Sequence, residues 1–276
     1  MALGGARSRG LEGRVALVTG AGGGIGRGIA LCLAEEGMAL ALADIDLEGA
    51  RAAAREAEAM GARAHPLRLD VTQGSDCREA VREVLERLGG LHVLVNNAGV
   101  IGGPRLKLGL PLGDLTEEDW DAAYAVNVKG VFLLCQAALP TLEAQRWGRI
   151  VNISSRAGRA GREAIPHYSA SKAAVIIFTQ ALAREVAPYG VTANAICPGL
   201  IWSPMWERLA RLYQAKLPGM AGKSPREVFE HFVAQTPLKE AQTPEDVGRA
   251  VAFFASEDAR TVTGQALLVD SGAVMH

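Results

Sequence analysis

Short, uninterrupted apolar runs alternate with stretches of helical character along nearly the whole chain, and no other feature restricts the fold as strongly. Strands are expected at 14–19, 39–43, 64–69, 91–95, 149–154, 191–196 and 266–269. Helices are expected from the glycines after Thr19 to about Gly37, then at 47–60 with Gly61 as cap, 76–88, 117–145, 166–187 and 244–255. A strand without polar alternation must be covered on both faces. This predicts a doubly wound parallel sheet, Rossmann-like, with helices on either side. A length of 276 residues suits one large α/β domain better than two. Residues 13–276 are read as that domain, 1–12 as a flexible tail and 200–239 as a substrate lid. The irregular segments 101–115 and 200–239 both follow strand ends. Ligands of open α/β sheets bind beyond the carboxyl ends of the strands, so both segments are expected to border the site.

Hydrophobic residues make up 49% of the chain and aromatic ones only 5%, so small aliphatic side chains must fill the interior. A net charge of −1 provides no basic field, and no nucleic acid is expected as a partner. Cys32, Cys77, Cys135 and Cys197 form no CxxC pair; Cys32, Cys135 and Cys197 sit in apolar runs that suit burial as small hydrophobes. The histidines show no ligand spacing, so no metal site is expected, and His167 is read as shaping a pocket. Residues 1–10 lack the apolar segment of a signal peptide, and no stretch reads as a membrane span. A soluble protein of a reducing, cytoplasmic compartment is expected, with no membrane partner.

Thr19-Gly-Ala-Gly-Gly-Gly-Ile-Gly26 joins the first strand to the first helix. Glycines at such a junction permit a tight turn and let the backbone approach a pyrophosphate at the positive helix N-terminus. Plain strand–helix connections use glycine as well, but here an acid, Asp44, closes the next strand. Its carboxylate can accept hydrogen bonds from an adenosine ribose and would repel a 2′-phosphate. Capping of the following helix is the alternative role, and Asp46 can serve it instead. Gly22, Gly23 and Ile45 offer no cation to a 2′-phosphate, and Arg27 lies inside the first helical turn. NAD is therefore the expected cofactor, rather than NADP.

In Tyr168-Ser-Ala-Ser-Lys172, a spacing of four residues places phenol and ammonium on one helix face. A phenol titrating at about 10 is a poor base near neutrality, and a neighbouring cation favours its ionised form. Exposed helices carry such pairs often. This one gains weight from Ser155, which ends a strand thirteen residues earlier.

These pieces fall into a longer series: TGAGGGIG at 19–26, Asp70-Val71, Asn96-Asn-Ala-Gly99, Asn127, Ser155, Tyr168, Lys172, Pro198-Gly199, and Thr263-Gly264 through Asp270. In this order they resemble the short-chain dehydrogenase/reductase family, in its compact single-domain branch. The resemblance implies hydride transfer between NAD and a secondary alcohol or ketone, with Tyr168 exchanging the proton. It implies that Lys172 holds the nicotinamide ribose and lowers the tyrosine pKa, Ser155 bonds the substrate oxygen, and Asn127 positions a proton-relaying water. Gly20, Gly24, Ile25 and Gly26 would form the pyrophosphate turn. Asp70 and Val71 would flank the adenine, and Asn97 would lie beside the adenosine ribose. After Pro198-Gly199, Ile201 and Ser203 would meet the nicotinamide carboxamide, although the family usually has threonine where Ser203 stands.

A non-catalytic NAD-sensing module is the competing class, but it would be expected to lose Tyr168, Lys172 or Ser155. A sugar epimerase of the extended branch would need a larger C-terminal domain. Among enzymes, residues 198–239 resemble those of polyol, acetoin and hydroxybutyrate dehydrogenases, with a 3-oxoacyl-carrier-protein reductase as runner-up. Arg156, Arg159 and Arg162 lie between Ser155 and Tyr168. A guanidinium there, Arg162 foremost, suits an anionic substrate; the alternative is a solvated loop, or pairing with Glu163. The resemblance also implies a homotetramer built from the helices at 117–145 and 166–187 and from the last strand.

Overall fold

The computed structural model describes residues 9–102 and 112–275. The first half runs β1 (Val15–Thr19), α1 (Gly24–Glu35), β2 (Ala39–Asp44), α2 (Leu47–Ala59), β3 (Ala64–Arg68), α3 (Gly74–Leu88) and β4 (Val93–Asn96). Next, α4 (Glu117–Tyr124), a π-helical turn at Ala125–Lys129 and α5 (Gly130–Ala144) follow one another without a break. The chain continues with β5 (Gly148–Ile153), α6 (Pro166–Val186) and β6 (Val191–Pro198). It ends with α7 (Pro204–Lys216), α8 (Pro225–Val233), α9 (Pro244–Ala255) and β7 (Ala266–Val269).

The strands form one seven-stranded sheet in the order β3-β2-β1-β4-β5-β6-β7, and every pairing is parallel. This is the doubly wound α/β architecture expected from the apolar runs. Successive residues of β1 feed opposite faces: Ala16 and Val18 pack with α1, α2 and α9, whereas Val15 and Leu17 pack with α3, α5 and α6. Pro66 lies in β3, an edge strand, where its missing N–H breaks no ladder. Small residues let the layers close up. Buried Ala50, Ala53, Ala54 and Ala57 of α2 recur at helical spacing and form its core face.

Three expectations need correction. The segment 200–239 is not irregular, because α7 and α8 occupy much of it. Each begins with a serine cap and a proline in the first turn, Ser203-Pro204 and Ser224-Pro225. The end of the supposed tail belongs to the domain: Leu11 is 1% exposed and packs in the core with Leu33 and Met38. The helix at 117–145 contains a π turn, which brings Asn127 into the interior. Glu117–Ala144 is also long and apolar enough to cross a membrane by length and composition, although no such span was expected. Here its Val131, Leu134, Cys135, Ala138 and Leu142 pack in the core with β4 and β5 residues. Of the loop at 101–115, residues 103–111 lie outside the described residues.

Candidate active site

Beyond β1 the sheet grows in the opposite direction, from β4 onward, so the connections leaving β1 and β4 diverge and open a crevice at their carboxyl ends. A cleft of about 510 Å³ occupies this place and runs from Asp44 and Ile45 past Gly20, Gly23 and Gly24 to Tyr168 and Lys172. The N-terminus of α1 faces it without a side-chain cap and without an acid in its first turn. A Cβ at Gly23 or Gly24 would meet no atom within 4 Å. Unclaimed N–H groups, helix-dipole charge and open space above the glycines fit a pyrophosphate. The residues present therefore suit a dinucleotide.

Asp44 accepts from Gly22 N at 2.8 Å and from Asp46 N at 2.9 Å, so the acid also pins the glycine turn. Asp46 caps α2 by accepting from Glu48 N. Arg27, the cation of the first helical turn, is bound to Glu56 with Nε–Oε2 at 2.9 Å and does not serve the cleft. Asn97 lines the cleft, but its amide donates to the carbonyls of Thr19 and Gly20 at 2.9 and 3.1 Å. It holds the turn in place, in addition to any contact with a ribose. Thr19 Oγ1 accepts from the N–H groups of Asn97 and Ala98, both at 3.0 Å, joining the ends of β1 and β4. Asp70 and Val71 line the same end of the cleft as Asp44; Asp70 is fixed by bonds from Thr72 N and Oγ1. Gly26 stands behind the turn and does not line the cleft.

At the other end, α6 places Tyr168 and Lys172 one turn apart on the face toward the cleft. Lys172 Nζ donates to Ile153 O at 2.9 Å and lies 5.8 Å from the Tyr168 ring centre. Burial pulls this amine down to about 8. Burial also pushes the Tyr168 phenol up, with the Ser155 hydroxyl acting in the opposite sense. The resemblance implies that the lysine lowers the phenol pKa; here burial is the largest influence and acts in the opposite direction. Of the two serines, Ser154 donates its hydroxyl proton to Lys172 O at 2.7 Å, whereas Ser155, whose oxygen accepts from Ala157 N at 3.1 Å, is the one beside Tyr168. Asn127 accepts from Val100 N at 2.9 Å and donates to Val100 O and Ser171 Oγ at 2.8 and 2.9 Å. Its amide thus anchors the loop after β4 to α6, a structural duty that the expectation of a water-positioning residue omitted. His167 is buried but lines neither the cleft nor the adjoining cavity, so it does not shape the pocket directly.

The lysine makes stability depend on pH. Below about 8 the folded protein must charge a buried amine, a cost the unfolded chain does not bear. Between that value and the ordinary lysine pKa the unfolded state holds the extra proton, so folding gains as pH rises, and above both values the penalty is gone. K172M, which has no such penalty, should therefore be more stable relative to the parent at pH 7 than at pH 10. Urea unfolding at the two pH values checks this; a difference independent of pH would mean that Lys172 titrates normally.

A second cavity of about 140 Å³ adjoins the cleft and shares Ile25, Ser154, Tyr168, Ser203 and Met205 with it. Pro198, Gly199, Ile201 and Ser155 line it too, as do Arg156 and Arg162. Ser203 caps α7, accepting from Trp206 N at 3.2 Å. The segment carrying α7 and α8 packs on its own aromatic cluster, in which Trp206 meets Phe229 and Phe232 at ring-centre distances of 5.0 and 5.6 Å. Gln242, which sequence reasoning missed, fastens the start of this segment. Its Oε1 accepts from Leu200 N and its Nε2 donates to Ser271 Oγ, both at 2.6 Å. Ser171, Met205, Trp206 and Tyr213 were also missed. Among the described residues no cluster of three or more His, Cys, Asp or Glu side chains is placed to hold a metal.

Known proteins share this arrangement. Residues 20–274 match the family model described as enoyl-(acyl carrier protein) reductase. L-2,3-butanediol dehydrogenase of Corynebacterium glutamicum is 41% identical over 266 residues, covering 95% of this chain and 99% of that protein. A 3-oxoacyl-[acyl-carrier-protein] reductase of Thermotoga maritima is 37% identical over 265 residues, covering 96% and 99%. The crystal structure of an NAD+-bound xylitol dehydrogenase superposes with a TM-score of 0.88 at 33% identity, covering 95% of this chain and all of that one (100%). The chain belongs to the short-chain dehydrogenase/reductase family. It is an oxidoreductase acting on CH–OH groups.

Proposed function

We propose that the protein oxidises a secondary alcohol, or reduces the matching ketone, with NAD as cofactor and Tyr168 as the proton carrier. The observation that carries this reading is the continuity of the cleft from Asp44 to Tyr168, where it meets a second cavity of substrate size. The cofactor's contribution is to accept or donate the hydride. The chain does the rest. The α1 N-terminus, Gly20, Gly24 and Ile25 bind the pyrophosphate, and Asp44 takes the adenosine ribose. Lys172 holds the nicotinamide ribose, and Ile201 and Ser203 flank the carboxamide. Ser155 orients the substrate oxygen while Tyr168 Oη exchanges its proton.

NAD rather than NADP is favoured by the carboxylate of Asp44 and by the engagement of Arg27 with Glu56. Ile45, 62% exposed on the cleft wall, offers adenosine an apolar surface and a 2′-phosphate nothing. Steady-state kinetics over a panel of diols, sugar alcohols, hydroxy acids and acyl thioesters should give a kcat/KM with NAD roughly tenfold or more above that with NADP. Asp44→Ala should weaken NAD binding. Equal or reversed cofactor preference would overturn the assignment. Reduction of 3-oxoacyl thioesters is the second reading, supported by the similarity to the Thermotoga maritima reductase.

Homotetrameric assembly is part of the proposal. Exposed Phe132 of α5, Ile177 of α6 and Leu267 of β7 place apolar surface on the elements that would pair. A cytoplasmic location is supported by four buried, unpaired cysteines.

A further inference from the structure

We propose that the substrate carries an oxyanionic group, a carboxylate or a phosphate monoester, held by Arg156 and Arg162 with Tyr213 of the lid. This rests on the dehydrogenase reading and narrows it to a class of substrate.

Arg156 follows Ser155 directly, in the 3-10 turn Arg156–Gly158, and Arg162 lies just before α6. Both line the small cavity together with Ser155 and Tyr168. The rest of its wall is mainly apolar, with Ile101, Ile165, Ile201, Trp206 and Leu209. Arg159, the third arginine of the loop, turns elsewhere and donates to Ala266 O at 3.1 Å. Two of the three arginines thus line this cavity.

Neither is neutralised by the protein. Among the described residues no ion pair includes Arg156 or Arg162, and the adjacent Glu163 makes none with Arg162. Burial first, and then Arg162, hold Arg156 down to about 10, which leaves it charged at neutral pH. Asp270 pulls it the other way, but the carboxylate of Asp270 accepts from Gly272 N and Val274 N at 3.1 and 2.9 Å. Two like charges on one largely apolar cavity are costly without a counter-ion, and a bound anion offsets their desolvation and their repulsion.

The donor pattern separates an anion from a neutral polyol. Each hydroxyl of a polyol must donate as well as accept, and a guanidinium has five donors and no acceptor. A carboxylate or phosphate only accepts. Tyr213, on α7, lines the same cavity, and both arginines favour its ionised form against burial. Lid and loop therefore face one another across the place where the anion would sit. In the reaction the carbinol carbon would give its hydride to NAD while its one hydroxyl proton passes to ionised Tyr168 and from there to solvent, leaving the oxo compound. The anionic group takes no part in the bond changes.

Matched pairs that differ in charge test the inference on the full-length protein. Acetoacetate and pyruvate are compared with their methyl esters, and dihydroxyacetone phosphate with dihydroxyacetone. NADH oxidation is followed for each, and binding to the NADH complex is followed by nucleotide fluorescence. At least one anion should exceed its neutral partner about tenfold or more in kcat/KM or affinity, the difference one charge-assisted contact supplies. The acid and phosphate arms identify which anion it is. R156Q and R162Q should each cut the charged-to-neutral ratio several-fold, R162K should retain part of it, and R159Q should leave the ratio where it was. Should the neutral partners turn over or bind as well as the anions, the anion site is refuted while the dehydrogenase reading stands. Failure of NADH itself to bind would remove both.

Discussion

Tyr168→Phe is expected to lose nearly all turnover, about 10²–10⁴-fold, while still binding NAD. The substitution removes one oxygen and leaves the ring, so its cost to packing is small. The aromatic body continues to fill its place beside Ile101, Ile165 and Leu209. The loss is specific because no other group at this end of the cleft can replace the phenol. Ser154 is tied to Lys172 O, and the Lys172 amine is directed at Ile153 O. Ser155 is beside the phenol, but an aliphatic hydroxyl is too weak an acid to deliver the proton near neutrality. Burial raises the Tyr168 pKa, which makes the group a proton donor by default and suits ketone reduction. Alcohol oxidation needs the ionised form, so its rate should climb further into the alkaline range than that of reduction. Single-turnover rates at saturating substrate, together with NAD affinity by fluorescence, check the prediction. Near-full activity in Y168F would assign proton transfer to water or to Lys172.

The sheet was legible in the sequence because each strand is buried on both faces and so lacks polar alternation, as in Val15–Thr19 and Val191–Pro198. Tyr168 and Lys172 were legible because helical spacing sets them on one face and Ser155 precedes them at the end of a strand. The lid was not read as helical, although Ser203-Pro204 and Ser224-Pro225 followed by Glu227 are both helix-start signals. Its apolar side chains pack chiefly on one another, Trp206 and Tyr213 against Phe232, rather than on the sheet. The rhythm that reveals sheet-covering helices is therefore weak there. Asn97 and Asn127 show a different gap. Motif position marked them as ligand neighbours, yet their hydrogen bonds go first to the backbone at Thr19, Gly20 and Val100. Loss of Asn127 would strand two main-chain groups, at about 1–3 kcal/mol for each one left unpaired. Which of three arginines faces the cavity likewise depends on the turn at Arg156–Gly158, which sequence spacing does not specify.

Gly26→Ala should be the most damaging single-methyl change in the cofactor half, and Gly23→Ala, three residues earlier, the instructive contrast. A Cβ at position 26 would lie 2.0 Å from Gly20 O and 2.7 Å from both Gly20 C and Asn97 Nδ2. None of these can swing aside. Gly20 is main chain, and Asn97 is held by its bonds to Thr19 O and Gly20 O. The methyl must push α1 away from the turn, which breaks the Asn97 bonds and tilts the helix N-terminus off the pyrophosphate site. Overpacking of this kind costs about 1–3 kcal/mol, with more lost as the turn's hydrogen bonds fail. A lower Tm and NAD affinity reduced by about 100-fold or more are expected together, the latter because about 2.7 kcal/mol of dinucleotide binding depends on the turn's geometry. Gly23 has φ −176°, extended backbone open to any residue, and a Cβ there meets nothing within 4 Å. Gly23→Ala should keep the Tm of the parent but project its methyl into the cleft and weaken NAD binding. Calorimetry on both variants, paired with NAD titration, separates the two effects. If G26A melted with the parent and bound NAD normally, the close approach of α1 to Gly20 would not be what shapes the nucleotide site.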